Sequence, residues 1–216
     1  MIITTFNWNN QVFEVKALSE TAVLVQPQSP ITLENIHHLA ESIEKEAANE
    51  IEDIIISYQN IVICFTHLIY SENEIIHFFK KINKTTAIES DIQKHYIKVN
   101  FEKGLDWVIV EEMTQLTKNE VINLFKEKKY TVAMLGFIPG FIYLKGLDER
   151  LTCGRKAIPR KKIPKGSVGI GGKQAGIYGL SSPGGWQIIG QTEVNTFDMN
   201  AFPPTLLKPL DKVIFI

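Results

Sequence analysis

YTVAMLGFIPGFIYLKGLDERLTCGRKAIPRKKIPKGSVGIGGKQAGIYGLSSPGGW, residues 130–186, mixes turn-forming and apolar residues more densely than any other part of the chain. Its glycines and prolines alternate with short apolar runs instead of replacing them. A disordered linker lacks such runs, because too little apolar surface leaves the entropy of ordering uncompensated. Val132, Met134, Leu135, Phe137, Phe141, Ile142 and Leu144 are all expected to be buried. The pattern predicts short β segments joined by turns whose backbone only Gly permits or Pro fixes. Rigid loops of that kind are where binding groups sit, so the functional site is placed here.

Outward from this stretch, the chain reads as strands and turns to its end, closing on VIFI. Before it, HYIKVNF reads as a strand, followed by helices over residues 105–113 and 117–128. Thr117 and Glu120 have the spacing of a capping box. The N-terminal part reads as hairpin, helix, hairpin, helix. Residues 12–25 alternate as two strands, and Thr32 caps a helix with Ile36, Leu39, Ile43 and Ala47 on one face. Residues 51–65 form two more strands, and Ser71 caps a second helix with an apolar stripe of Ile75, Ile76, Phe79 and Ile82. The polar, aperiodic run NKTTAIES at 83–90 marks the boundary. The expected division is a small α+β domain over 1–88 and a mainly β domain over 89–216.

The length, 216 residues, suffices for one large domain or two small ones. A balance of 23 basic and 24 acidic residues argues against a surface built to neutralise nucleic-acid phosphates. No apolar run approaches the roughly 20 residues of a membrane span. The first residues lack the layout of a secretion signal, and two distant cysteines fit a reducing cytoplasm. Cys64, inside IVICF, reads as a buried small hydrophobe.

Several chemistries are excluded by spacing. GSVGIGGKQAG resembles a phosphate cradle, but Ser167 stands where a Walker loop needs its first glycine, and Gln174 follows Lys173. Gln174 also takes the place of the third glycine of a dinucleotide fingerprint. His37, His38, His67, His77 and His95 form no metal-binding pair, and are read as solvated or capping side chains. No histidine follows His95, so the glycine-rich part cannot build its own Ser-His-Asp triad. The basic run RKAIPRKKIPK at 155–165 can attract an anion or be a solvated loop.

At GFIPGFIYLKGLD (136–148), GSVGIGGKQAGIY (166–178), SPGGWQIIG (182–190) and FDMNAFPPTLLKPLDKVIF (197–215), the chain resembles a known family. It is the family of the 5-oxoprolinase B-type subunit, KipI and allophanate hydrolase subunit 1. The resemblance implies a ferredoxin-like α+β N-terminal domain followed by a cyclophilin-like β-barrel. It also implies a cytoplasmic heteromeric hydrolase, in which this chain works with a homologous C-type partner and an A-type partner. That complex opens the lactam of 5-oxoproline to glutamate at the expense of ATP. ATP enters through the complex, because the chain has no nucleotide fingerprint of its own. Other members imply two alternatives, a regulator that binds a sensor histidine kinase and a component of a biotin-dependent, urea-type carboxyltransferase.

A small flat amide is the shared substrate, and donors aimed at its carbonyl would lower the barrier. No catalytic residue and no metal ligand is singled out. The substrate-binding set implied by the matched motifs is Phe137, Pro139, Gly140, Arg160, Gln174, Gly176, Tyr178 and Ser182. Backbone N–H groups of GFIPGF and GGKQAG would serve as donors in one shared cleft. Gln174 would read an amide edge, Arg160 would grip an anion by its fork, and Tyr178 and Trp186 would supply flat walls. Phe137, Phe141 and Trp186 are also natural core residues, Ser182 a natural turn residue, and Asp198 and Asp211 natural turn anchors. The chain departs from the family pattern at Phe125, where a histidine is usual, and at Gln191 and Ile214, where arginines are usual. From the first barrel motif Asp106 survives.

Overall fold

The computed structural model describes residues 2–69, 71–82 and 91–216. The run 83–90, where the sequence places the boundary, lies outside the described residues. The chain divides into two compact units, residues 1–90 and 91–216.

The first unit is one antiparallel sheet with two helices. Its strands are β1 (Ile2–Trp8), β2 (Gln11–Ala17), β3 (Ala22–Pro27), β4 (Ile51–Ile56) and β5 (Ile61–Phe65), in the order β1-β2-β3-β5-β4. Helix α1 (Leu33–Ala47) starts at Thr32, whose hydroxyl accepts from Asn35 N. Helix α2 (Glu72–Lys81) starts at Ser71, which accepts from Glu74 N. Both caps answer backbone donors that an α-helix leaves unpaired. Ile36, Leu39, Ile43 and Ala47 are buried as their spacing predicts, while in α2 Phe78 joins Ile75 and Phe79 in the core.

Strand β1 adds a fifth strand to the four that periodicity suggests. It turns into β2 through Asn9 and Asn10, both at positive φ (49° and 62°). That is the mirror-image two-residue turn that suits hairpin twist, and Asn tolerates it. Two smaller expectations are also corrected. His37 is buried on α1 rather than solvated, because its position shares the face of Ile36 and Ala40. Cys64 is only half-buried, because β5 buries Ile61, Ile63 and Phe65 on its other face.

The second unit is built on a seven-stranded mixed sheet. In chain order its elements are β6 (Lys94–Ile97), α3 (Trp107–Thr114), α4 (Lys118–Glu127), β7 (Lys129–Leu135), β8 (Ile142–Lys145), β9 (Arg160–Ile163), β10 (Ser167–Gly171), β11 (Gln174–Ile177), β12 (Ser182–Gly184), β13 (Gln187–Gln191) and β14 (Lys212–Phe215). The sheet order is β13-β10-β11-β8-β7-β14-β6, with β9 and β12 forming a separate ribbon. The sheet curls until its two edges meet. Past the end of β6, Asn100 N donates to Gln191 O at 2.8 Å and Gln191 N donates back to Asn100 O at 3.1 Å.

Asp211 secures the parallel β6–β14 seam. Its carboxylate accepts from Gln93 N (2.9 Å) and Lys208 N (3.0 Å) and meets His95 Nε2 (3.0 Å). It thus anchors more than its own turn, whereas Asp198 accepts locally, from Asn200 N two residues on. His95 is the half-buried member of this polar seam. Thr117 and Glu120 form the expected reciprocal capping box at the start of α4.

Phe125, where the family usually carries histidine, is completely buried. Its ring lies 4.8 Å from Phe215, 5.1 Å from Tyr130 and 6.3 Å from Phe101. The position serves packing in this chain. Phe125→His is expected to destabilise the fold by about 2–3 kcal/mol, because a polar ring is stranded among apolar neighbours. Burial disfavours the charged imidazole, so its folded pKa falls and the deficit should widen as pH drops below about 6.5. Thermal melts at pH 8 and pH 6 check this, and an unchanged melting temperature at both would contradict it.

Candidate functional site

The GFIPGF turn between β7 and β8 is closed by its own backbone. Gly136 N bonds Phe141 O, Ile138 N bonds Gly136 O, and Phe141 N bonds Ile138 O. Gly140 sits at φ 72°, with the space for a Cβ already taken by Phe197. Phe137 lies at φ 68°, a conformation that bulky L-residues rarely adopt. It is 61% exposed rather than buried as its apolar character predicts. The turn forces it outward, against Phe141 (5.6 Å between rings) and into a cleft.

This cleft has a volume of about 310 Å³, at the small end of ligand sites. Its walls are aromatic: Phe137, Phe141, Tyr143, Tyr178 and Trp186. Phe141 is the hub, with ring centroids 4.6 Å from Tyr143, 4.8 Å from Tyr178 and 5.3 Å from Trp186. These contacts are edge-to-face, the arrangement that ring quadrupoles favour. Trp186 fits because two strands give way to it. A Cβ on Gly171 would fall 2.5 Å from the indole, and one on Gly176 would fall 2.9 Å from it. Gly171 and Gly176 of GIGGKQAG therefore seat Trp186. They pair within the sheet, opposite Gln174 and Tyr143, instead of presenting backbone donors to a ligand.

The remaining wall is residues 155–159. Arg155 lies 5.6 Å over the Trp186 ring, a cation–π contact. Lys156 N donates to Gly185 O at 2.7 Å, and Lys156, Pro159, Pro183, Gly184 and Gly185 complete the lining.

This wall is held from behind by Asp106, the residue preceding α3. The carboxylate is almost fully buried. It accepts from Lys156 Nζ (2.9 Å), Arg160 Nη1 (2.8 Å) and Nη2 (2.5 Å), and Ile188 N (2.7 Å). Burial on its own would raise its pKa. The bonds from Arg160, Ile188 N and Lys156 outweigh it and hold the carboxyl below the usual range. Burial pushes the Tyr178 hydroxyl up to about 12, although the Trp186 N–H bonded to its oxygen pulls the other way. Burial raises Tyr143 as well, against the pull of Arg155. Both phenols therefore keep their protons at neutral pH and can donate to an acceptor.

Of the residues expected to bind substrate, Phe137 and Tyr178 line the cleft. Gly140 shapes the turn beneath Phe137, and Pro139 is exposed on its outside. Gly176 lies under Trp186. Ser182 sits on β12, donates to Pro183 O at 3.1 Å, and adjoins the rim rather than forming it. Arg160 is corrected: its fork is taken by Asp106, so it braces the wall instead of gripping a ligand. Gln174 is corrected too. Ile177 of β11 pairs with Ile142 beside GFIPGF, whereas Gln174 stands at the other end of that strand. The GGKQ turn there bridges to Cys153, so the two glycine motifs do not share one cleft. Tyr143 and Arg155 were missed. The signals were the two-residue spacing from Phe141 to Tyr143 and the basic run beginning at Arg155. Among the described residues, no three His, Cys, Asp or Glu side chains gather as metal ligands, and no helix is long and apolar enough to cross a membrane.

Residues 13–207 match the family model described as carboxyltransferase domain, subdomain C and D. The chain is 36% identical over 204 residues to the 5-oxoprolinase B subunit of Haemophilus influenzae, covering 92% of this chain and 95% of that one. It is 35% identical over 208 residues to the 5-oxoprolinase B subunit of Escherichia coli O157:H7, covering 92% and 93%. The crystal structure of Kluyveromyces lactis urea carboxylase aligns over 100% of this chain and 23% of its own, with a TM-score of 0.78. At 19% identity, that likeness concerns the fold alone.

Removing the Asp106 charge leaves two cations without their partner. Asp106→Asn is expected to cost on the order of 3 kcal/mol at pH 7. Because the folded carboxyl titrates below the ordinary value, its contribution is complete above about pH 4 and lost as pH falls through the lowered folded pKa. Urea denaturation should therefore show a gap between wild type and variant that narrows as the pH is lowered toward about 3. Equal stability at pH 7, or a gap that ignores pH, would contradict this account.

Proposed function

The chain belongs to the carboxyltransferase-domain family, subdomain C and D, and on that premise we propose that it is the B-type subunit of an ATP-dependent 5-oxoprolinase. In this reading it works with partners of the C and A types, and the aromatic cleft receives the lactam. The observation that carries the proposal is the cleft's make-up, with five aromatic rings lining it and Arg155 laid over Trp186. Aromatic faces suit a small planar ring, and a guanidinium at its border suits a carboxylate. 5-Oxoproline is a five-membered lactam bearing one carboxylate. The relatives named as 5-oxoprolinase B subunits, 35–36% identical along most of the chain, support the same substrate class.

The roles follow from chemistry. Arg155, which has no carboxylate partner among the described residues, holds the substrate carboxylate. The rings shield the faces of the lactam from water, which strengthens the polar contacts made on that side. As the amide is activated its oxygen gains negative charge, and the Tyr178 hydroxyl, still protonated at neutral pH, donates to it. Nucleotide chemistry is supplied by the assembled complex, since this chain's glycine motifs lack a phosphate-binding spacing. For the fold, the insertion of β5 between β3 and β4 supports a ferredoxin-like N-terminal unit carrying an additional hairpin. The curled sheet supports a cyclophilin-like barrel.

A second reading is a component of a biotin-dependent carboxyltransferase. It is favoured by 33% identity over 114 residues to urea amidolyase of Lachancea kluyveri, of which the match covers 6%.

The test is ATP hydrolysis by the chain co-expressed with its C-type and A-type companions. Hydrolysis that depends on 5-oxoproline is expected. Carboxyl transfer from biotin, or tight binding to a histidine kinase without such hydrolysis, would replace the proposal. Within an active complex, Arg155→Met should raise KM for 5-oxoproline about 10- to 100-fold with kcat little changed, the worth of one charge-assisted bond. Tyr178→Phe should instead lower kcat, by about 100-fold. Unchanged kinetics in both variants would remove the cleft from the reaction.

A further inference from the structure

Residues 155–165 contain Arg155, Lys156, Arg160, Lys161, Lys162 and Lys165 and no acid, in a chain whose net charge is -1. Asp106 pairs with both Lys156 and Arg160 from behind, its single charge offsetting one of the two. Arg155, Lys161, Lys162 and Lys165 are exposed, and none pairs with a carboxylate among the described residues. In their midst Ile158 is 84% exposed, and Phe137 on the cleft rim is 61% exposed. Strand β9, within this segment, pairs with β12 on one side and with no other strand among the described residues. Lysines on such an edge also repel unwanted strands. Here, however, the same segment is a wall of the ligand cleft, through Arg155, Lys156 and Pro159.

We propose that this basic segment, with Ile158 at its centre, is the docking surface for a protein partner whose facing surface is acidic, seated over the mouth of the cleft. The inference rests on the 5-oxoprolinase reading above and adds to it where, and by what chemistry, a companion chain attaches. An apolar centre ringed by charge is the build of a protein interface. Exposed apolar groups beside a ligand cleft gain from being covered. The near-neutral chain as a whole lacks the extended positive field that nucleic acid requires. A partner placed there completes the enclosure that the open aromatic cleft lacks, and complementary charge sets its rate of capture.

The experiment measures association of the full chain with its co-purified C-type companion by surface plasmon resonance at 50 mM and 500 mM salt. It compares wild type, the charge-reversed Lys161→Glu/Lys162→Glu/Lys165→Glu variant, and Ile158→Asp. The expected result is association slowed about tenfold in the charge-reversed variant at 50 mM salt, with the difference closing at 500 mM. Ile158→Asp should dissociate faster at both. Circular dichroism establishes that each variant is folded, and the exposed Lys161→Ala alone serves as a mild substitute if the triple variant is not. Unchanged rates in the folded variants, or no association of the wild type, overturn the proposal. So does salt-sensitive binding to a duplex oligonucleotide, or self-association lost in the variants, since these put another occupant on the segment. The two readings fail separately. Full 5-oxoproline-dependent turnover with unaltered association sinks the docking surface alone. Salt-sensitive association without such turnover sinks the activity alone.

Discussion

Asp106 accepts bonds from Lys156, from both terminal nitrogens of Arg160 and from the backbone of Ile188. These donors come from the basic segment and from β13, and the acceptor stands at the start of α3. One buried carboxylate thus fixes the cationic wall of the cleft to the curled sheet. Buried ion pairs contribute little net stability, because desolvation offsets most of the attraction. What such a pair supplies is a defined geometry. The ring of Trp186, the guanidinium of Arg155 and the Tyr178 hydroxyl keep their relative places because the segment behind them cannot shift without stranding charge.

The glycines serve the same end from the other side. Gly171 and Gly176 vacate the volume that Trp186 occupies, and Gly140 and Gly179 let two backbones meet where a Cβ would collide. Phe137, at φ 68°, is held outward by the turn around it. A residue kept in a sparsely populated conformation at a cleft rim is one whose placement the surrounding structure over-determines. The cleft is accordingly a rigid aromatic box bordered by one long cationic side chain, Arg155, which makes no ion pair of its own among the described residues.

Much of this was legible in the sequence wherever the cause was local. Thr32, Ser71 and the Thr117–Glu120 pair cap the helices that their spacing announces. Every residue lining the cleft also falls inside the stretch 130–186 that the sequence singles out. Local signals that were present but unread include the Asn9–Asn10 hairpin turn and the Phe141–Tyr143 alternation. What could not be read was anything set by pairing across the sheet. The antiparallel register of β8 and β11 sends the Gln174 turn to the end away from GFIPGF. The partnership of Asp106 with Arg160 spans 54 residues, so Arg160 looked like a free anion clamp. The outward turn of Phe137 was hidden for a different reason: its apolar character points inward, and only the positive φ of the GFIPGF turn sends it out.

In the proposed role, this cleft holds a planar lactam with its carboxylate on Arg155. A crystal structure of the assembled complex grown with 5-oxoproline tests it most directly. The ring is expected among Phe137, Phe141, Tyr178 and Trp186, with its carboxylate oxygens within hydrogen-bond reach of the Arg155 guanidinium. Density for the lactam elsewhere in the complex, with the cleft empty or plugged by a partner's side chain, would contradict it.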